Sequence, residues 1–166
     1  MKNDDSTMKL SKNLSLAEVT KSNTAKRLGI DNTPDDWTTE NLRKIAEHVF
    51  QPLRDAFKCP IYVSSGYRGA DLNRAIGGSL RSQHMEGRAL DLDADVFGRC
   101  TNGEIFRYIL NNLTFDQLVW EFGDGDNPDW VHVSYVHDGV NRGRCLKACR
   151  DDEGKVFYEV IFGKGL

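Results

Sequence analysis

The stretch that most constrains the fold is residues 89–95, "ALDLDAD". Its alternation has the period of a β-strand. Ala89, Asp91, Asp93 and Asp95 fall on one side, and Leu90 and Leu92 on the other. The leucines ask for a core behind them. The row of carboxylates repels itself unless water or a positive charge lies against it.

Bulk composition narrows the remaining possibilities. The chain has 166 residues, 39% hydrophobic and 28% charged, which is the balance of one globular domain. A net charge of −3 gives no reason to expect a nucleic-acid partner. No apolar run is long enough to span a bilayer, so no membrane partner is expected either. The chain is expected to act as a monomer. The N-terminal "MKNDDSTMKLSKNLS" lacks the apolar core of a signal peptide, so synthesis in the cytoplasm without the usual export route is expected. The four cysteines, Cys59, Cys100, Cys145 and Cys149, are then expected to be reduced. Cys145 and Cys149 have a C-x3-C spacing that suggests zinc, but Cys59 and Cys100 supply no matching pair, and ordinary thiols are the simpler expectation.

Residues 1–13 are polar and expected to form a flexible N-terminal segment, with one domain over 14–166. "LSLAEVTKSNTAKRLG" predicts a short helix with Ser15 as N-cap, Glu18 completing a capping box, and Gly29 as its stop. "TTENLRKIAEHVFQPLRDAFK" is the longest helical pattern, with Leu42, Ile45, Ala46, Val49, Leu53 and Phe57 on one face. Pro52 falls inside it and should kink or split it. "IYVSSGY" reads as a strand running into a glycine turn, and "TNGEIFRYILNNL" as a helix. "FDQLVWEF" and "DWVHVSYV" read as strands around the loop "GDGDNP". "GRCLKACR" and "KVFYEVIFG" flank "DDEG" as a hairpin. Helices come first and hairpin-connected strands later. That order predicts an α+β domain with a mostly antiparallel sheet and helices packed on it.

The histidines then bear on the acidic strand. His48 lies in the long helix with no partner a turn away, and His137 lies where a strand runs into "DGVN". Neither looks like a ligand. His132 shares a strand face with Trp130 and Ser134, while Val131 and Val133 point the other way. Alone it would read as a satisfied core histidine. Together, His84, Asp91 and His132 supply two imidazoles and a carboxylate, the set that catalytic zinc uses with its fourth position left to water. One Zn²⁺ would supply the positive charge that Asp91 needs, with Asp93 able to steady the ligands from behind.

"SSGYR", "SQHMEGRALDLD" and "WVHVSY" resemble the zinc D-alanyl-D-alanine carboxypeptidases and the related phage peptidoglycan endopeptidases. That family carries S-x-H-x-x-G-x-A-x-D and a later histidine-bearing strand, matched here by Ser82, His84, Gly87, Ala89, Asp91 and His132. The resemblance covers most of residues 14 to 136, and the tail beyond about 140 adds nothing to it. It implies that His84, Asp91 and His132 are the zinc ligands. It implies that Arg68 steadies the oxyanion of the scissile carbonyl, and that Ser82 is a substrate-binding hydroxyl. For the general base it leaves two acids. Asp129 stands three residues before the last histidine, where many members carry an acid. Glu121 is placed like the acidic residue of the structurally similar hedgehog signalling domains. Asp129 is preferred of the two.

The resemblance therefore implies a zinc peptidase that cleaves bonds next to a D-amino acid in peptidoglycan stem or cross-bridge peptides. It would be a carboxypeptidase or endopeptidase of D,D or L,D type. The missing leader fits a phage or prophage product released to the wall as an endolysin or carried on a virion. The rival expectation is a zinc-bearing binding domain without catalysis, such as a virion structural component.

Overall fold

A computed structural model describes residues 7–161. The chain opens with two short antiparallel strands, β1 (Lys9–Ser11) and β2 (Leu14–Ser15). β1 lies inside the segment expected to be flexible. Leu10 is buried in the core, and Arg43 donates to the Lys9 carbonyl at 3.3 Å, which ties the segment down. Residues 1–6 of that expected segment lie outside the described residues.

The first predicted helix is two helices, α1 (Leu16–Thr20) and α2 (Asn23–Leu28). Ser15 and Glu18 form the expected capping box on α1, and Gly29 ends α2 as expected. The break has a local cause: Ser22 accepts from the Ala25 amide at 3.1 Å and starts a second helix of its own. The long helix is likewise interrupted. α3 (Asp36–Ile45) passes through a π-helical turn at Ala46–Phe50 into α4 (Gln51–Phe57). Pro52 lacks an amide proton and crowds the carbonyl four residues back, and the widened turn just before it accommodates that. The predicted apolar face holds: Leu42, Ile45, Ala46, Val49 and Leu53 are all fully buried.

β3 (Tyr62–Ser65) is followed by α5 (Ala70–Ala75), a 3-10 turn at Gln83–Glu86, and β4 (Ala89–Asp93). A second 3-10 turn, Asp95–Phe97, leads to α6 (Asn102–Asn112). Then come β5 (Gln117–Glu121), β6 (Trp130–Ser134), β7 (Arg144–Arg150) and β8 (Val156–Val160). The second strand of the predicted C-terminal hairpin is described only to Ile161. The main sheet has the order β3-β4-β6-β5-β7-β8. It is mixed: four neighbouring pairs are antiparallel, and β5 with β7 is parallel. Among the described residues, no helix is long and apolar enough to cross a membrane.

One sheet face carries Leu90, Leu92, Leu118, Trp120, Val131 and Val133, all 0–1% exposed, against α3, α4 and α6. Phe106 of α6 meets Trp120 edge to face at 5.1 Å. One cysteine expectation needs correction. Cys59, just after α4, and Cys100, just before α6, are joined by a disulfide rather than reduced. Sequence spacing does not reveal the pair, because only the packing of α4 and α6 brings positions 41 residues apart together. Cys145 and Cys149 are free.

Candidate metal centre and active site

The open face of the sheet holds the chemistry, and strand register assembles it. β4 and β6 place Asp91 directly opposite His132. His132 Nδ1 lies 2.9 Å from Asp91 Oδ1, and His84 Nε2 lies 3.4 Å from Asp91 Oδ2. The ligand atoms of His84, Asp91 and His132 all fall within 4.8 Å of one another, so the three side chains can hold one metal ion. Two of them come from adjacent strands and the third from the 3-10 turn that feeds β4. The H-x6-D spacing is the length of that turn plus the first residues of the strand.

His84 is aimed by backbone. The Gly66 carbonyl accepts from its Nδ1 at 2.7 Å, which leaves Nε2 to face Asp91. Gly66 can sit there only without a side chain, because an added Cβ would overlap the Val19 backbone. Gly66→Ala should therefore destabilise the fold by about 1–3 kcal/mol, as overpacking does, and loosen His84. Urea unfolding of wild type and variant checks this, and equal midpoints would show that α1 gives way at no cost.

The electrostatics fit a metal. Burial works to raise the Asp91 carboxyl, but His84 and His132 against it hold it well below the usual carboxylate range. Burial also pushes the His84 imidazole below its ordinary value, against the pull of Asp91. An ionised carboxylate and a neutral imidazole are the forms that bind a metal. Two imidazoles and one carboxylate make the three-ligand set of catalytic zinc sites. These donors therefore fit zinc.

The acidic row is shorter than the alternation implies. Asp93 does not back the ligands; its carboxylate accepts from Asn102 Nδ2 at 3.1 Å. Asp95 has left the strand, and it accepts from Asn127 Nδ2 at 2.6 Å in the neighbouring turn. Both acids serve loop closure instead of the metal.

The two candidate bases part company. Glu121, at the end of β5, is 9% exposed and lines the same cavity of about 760 Å³ as His84, Asp91 and His132. Asp129 is exposed and lines a different cavity with Lys147 and Arg150. Glu121 is the last residue of β5 and pairs with Trp130 on the ligand face, whereas Asp129 precedes the first residue of β6, at the end of the loop. The sequence preference for Asp129 rested on spacing, which does not say which cavity a residue lines.

Burial pushes Glu121 up to about 7, with His132 pulling the other way and Asp91 adding to the rise. In the metal-free protein this has a stability consequence with a definite sign. The folded-state pKa lies above the ordinary 4.5, so between those values the folded state binds more protons than the unfolded. Stability should fall as pH rises from about 4.5 to 7 and level off above, by about 3 kcal/mol in all. Glu121→Gln should remove that slope. Unfolding of chelated wild type and variant at pH 5 and pH 8 checks it, with the variant gaining on wild type only at the higher pH. Parallel behaviour at both would contradict the burial of an ionisable group there.

Arg68 also lines this cavity, with Nη2 3.4 Å from Ser82 Oγ and its backbone amide donating to the His84 carbonyl at 3.1 Å. Burial lowers its pKa and Asp91 raises it, and a guanidinium stays charged throughout. Ser82 Oγ accepts from the His84 amide at 3.3 Å, so this hydroxyl caps the 3-10 turn while facing the cavity. Of the other histidines, His48 stacks on Tyr135 at 4.8 Å and His137 is an exposed loop residue.

Some of the site was not foreseen. Asp116 is buried, and it accepts from Arg142 Nη2 at 2.6 Å and Gln83 Nε2 at 2.9 Å, fixing the cavity wall on that side. Phe122, next to Glu121, takes a left-handed φ of 55° and meets Trp130 edge to face at 5.6 Å. β8 contributes Val156 and Tyr158. No motif marks these residues; hairpin periodicity alone gives Val156 and Tyr158 a common face.

Comparison with known proteins agrees with this geometry. A family model described as Peptidase M15 matches residues 12–134. A search of the curated proteins finds no match to the chain.

Proposed function

The chain belongs to the peptidase M15 family, and from that premise we propose that it is a zinc peptidase hydrolysing bonds beside D-amino acids in peptidoglycan stem or cross-bridge peptides. The observation that carries this reading is one cavity holding a three-donor metal centre, a buried carboxylate and a guanidinium. When bound, zinc supplies a Lewis acid that polarises the scissile carbonyl and acidifies the water that attacks it.

The chain's own residues do the rest. His84, Asp91 and His132 hold the ion, with the Gly66 carbonyl fixing the tautomer of His84. Glu121 takes the proton of the attacking water and returns it to the leaving amine. Its burial favours that exchange, because a carboxylate held near 7 when metal-free both accepts and gives up a proton near neutral pH. Arg68 donates to the oxygen that becomes negative in the transition state. Ser82 fixes the turn that carries His84 and leaves its oxygen facing the substrate. All of these groups come from one chain, so the single chain is read as the active unit. The Cys59–Cys100 disulfide supports action outside a reducing cytosol, at the wall, after release as a phage or prophage product or as part of a virion.

The test is digestion of purified peptidoglycan with zinc-loaded and chelated protein, followed by mass spectrometry of the soluble products. New amine termini adjoining D-residues, appearing only with metal, are expected. Free D-alanine marks a carboxypeptidase and split cross-links an endopeptidase. Unchanged peptidoglycan with fully zinc-loaded protein would overturn the reading and favour a zinc-bearing binding domain.

A further inference from the structure

The hairpin β7–β8 lies beyond the residues matched by the family model, yet it walls the catalytic cavity. Register shows how. Glu121 of β5 pairs with Ala148 of β7, and Ala148 pairs with Tyr158 of β8. Residues in register share a face, so Glu121, Ala148 and Tyr158 form one row across the open side of the sheet. Glu121 and Tyr158 stand two ladder steps of about 4.8 Å apart. The residue between them is the small Ala148, which is buried and presents only a methyl group.

Both outer members of the row line the cavity that holds the metal centre. Among the described residues, neither the Glu121 carboxylate nor the Tyr158 hydroxyl has a hydrogen-bond partner in the protein. A hydroxyl donor and a proton-accepting carboxylate thus face the same cavity, where a polar group of the substrate can meet both. We propose that Tyr158 is a substrate-contacting residue whose hydroxyl donates a hydrogen bond to a carbonyl oxygen of the peptide, across the row from Glu121. This rests on the peptidase reading above. Burial, with the nearby Glu121 and Asp91 carboxylates, holds the Tyr158 hydroxyl above its ordinary pKa, so it keeps its proton where the enzyme works. The C-terminal hairpin is then a working part of the site.

The test compares kcat/KM on peptidoglycan peptides, with zinc content, for wild type, Tyr158→Phe and Glu159→Gln. Tyr158→Phe keeps the ring and removes only the donor. Glu159 is the next residue of the same strand and points to the other face. Tyr158→Phe should lose about tenfold in kcat/KM, the size of one net hydrogen bond, with one zinc per chain retained. Glu159→Gln should match wild type. Equal kcat/KM in Tyr158→Phe and wild type would overturn the assignment while leaving the peptidase reading intact. Loss of zinc or of the folded state in Tyr158→Phe would also overturn it, because the hydroxyl would then serve the structure. An inactive wild type would instead refute the peptidase reading itself.

Discussion

Glu121→Gln should lower turnover on peptidoglycan peptides by about 10²–10⁴ while the protein still binds one zinc. Glutamine keeps the size and hydrogen-bonding capacity of glutamate and removes its basicity, so a loss of this size isolates proton transfer. Glu121 lies on the ligand face, buried beside His132 and Asp91, and is not one of the three clustered donors. The companion variant Asp129→Asn should stay near wild type, because that carboxylate lines a different cavity. Paired kinetics and metal analysis decide the matter. The reverse pattern would return the role to Asp129, and full activity in both variants would remove the general base from the mechanism.

His84→Ala, Asp91→Ala and His132→Ala should each lose stoichiometric zinc, and with it turnover down to background. Each leaves two protein donors, too few for a tight site. The three need not be equal in stability. Asp91 sits between two imidazoles at 2.9 and 3.4 Å, so its removal takes away the negative charge that both face. His48→Ala and His137→Ala, at a ring stack and an exposed loop, should keep metal and activity. Metal analysis of the purified variants provides the check, and full zinc in any one of the first three would strike that residue from the ligand set.

How much of this was legible in the sequence depended on whether the information is local. Capping at Ser15, the apolar face of α3 and α4, and the period-2 alternation of β4 and β6 are set by near neighbours, and they read correctly. The gathering of His84, Asp91 and His132 was legible in part because alternation put Asp91 and His132 on polar faces opposite leucines and valines. What stayed hidden was strand ends and long-range pairing. Count along the chain could not separate Asp129 from Glu121; the fold places Glu121 in the cavity of the three clustered donors and Asp129, just before β6, at another. Asp95 was assigned to a strand that ends at Asp93. The parallel partnership of β5 and β7, which brings Tyr158 into the Glu121 row, depends on how residues 135–143 route the chain, and no local pattern encodes that. The Cys59–Cys100 pair was hidden for the same reason.

The central claim is that one metal, held by His84, Asp91 and His132, makes this chain a peptidase. Its most direct test is to strip the protein with chelator and titrate zinc back while recording amine release from purified peptidoglycan. The account predicts no release from stripped protein and a linear rise that saturates at one zinc per chain. Full release from metal-free protein, or saturation with zinc and no release, would contradict it.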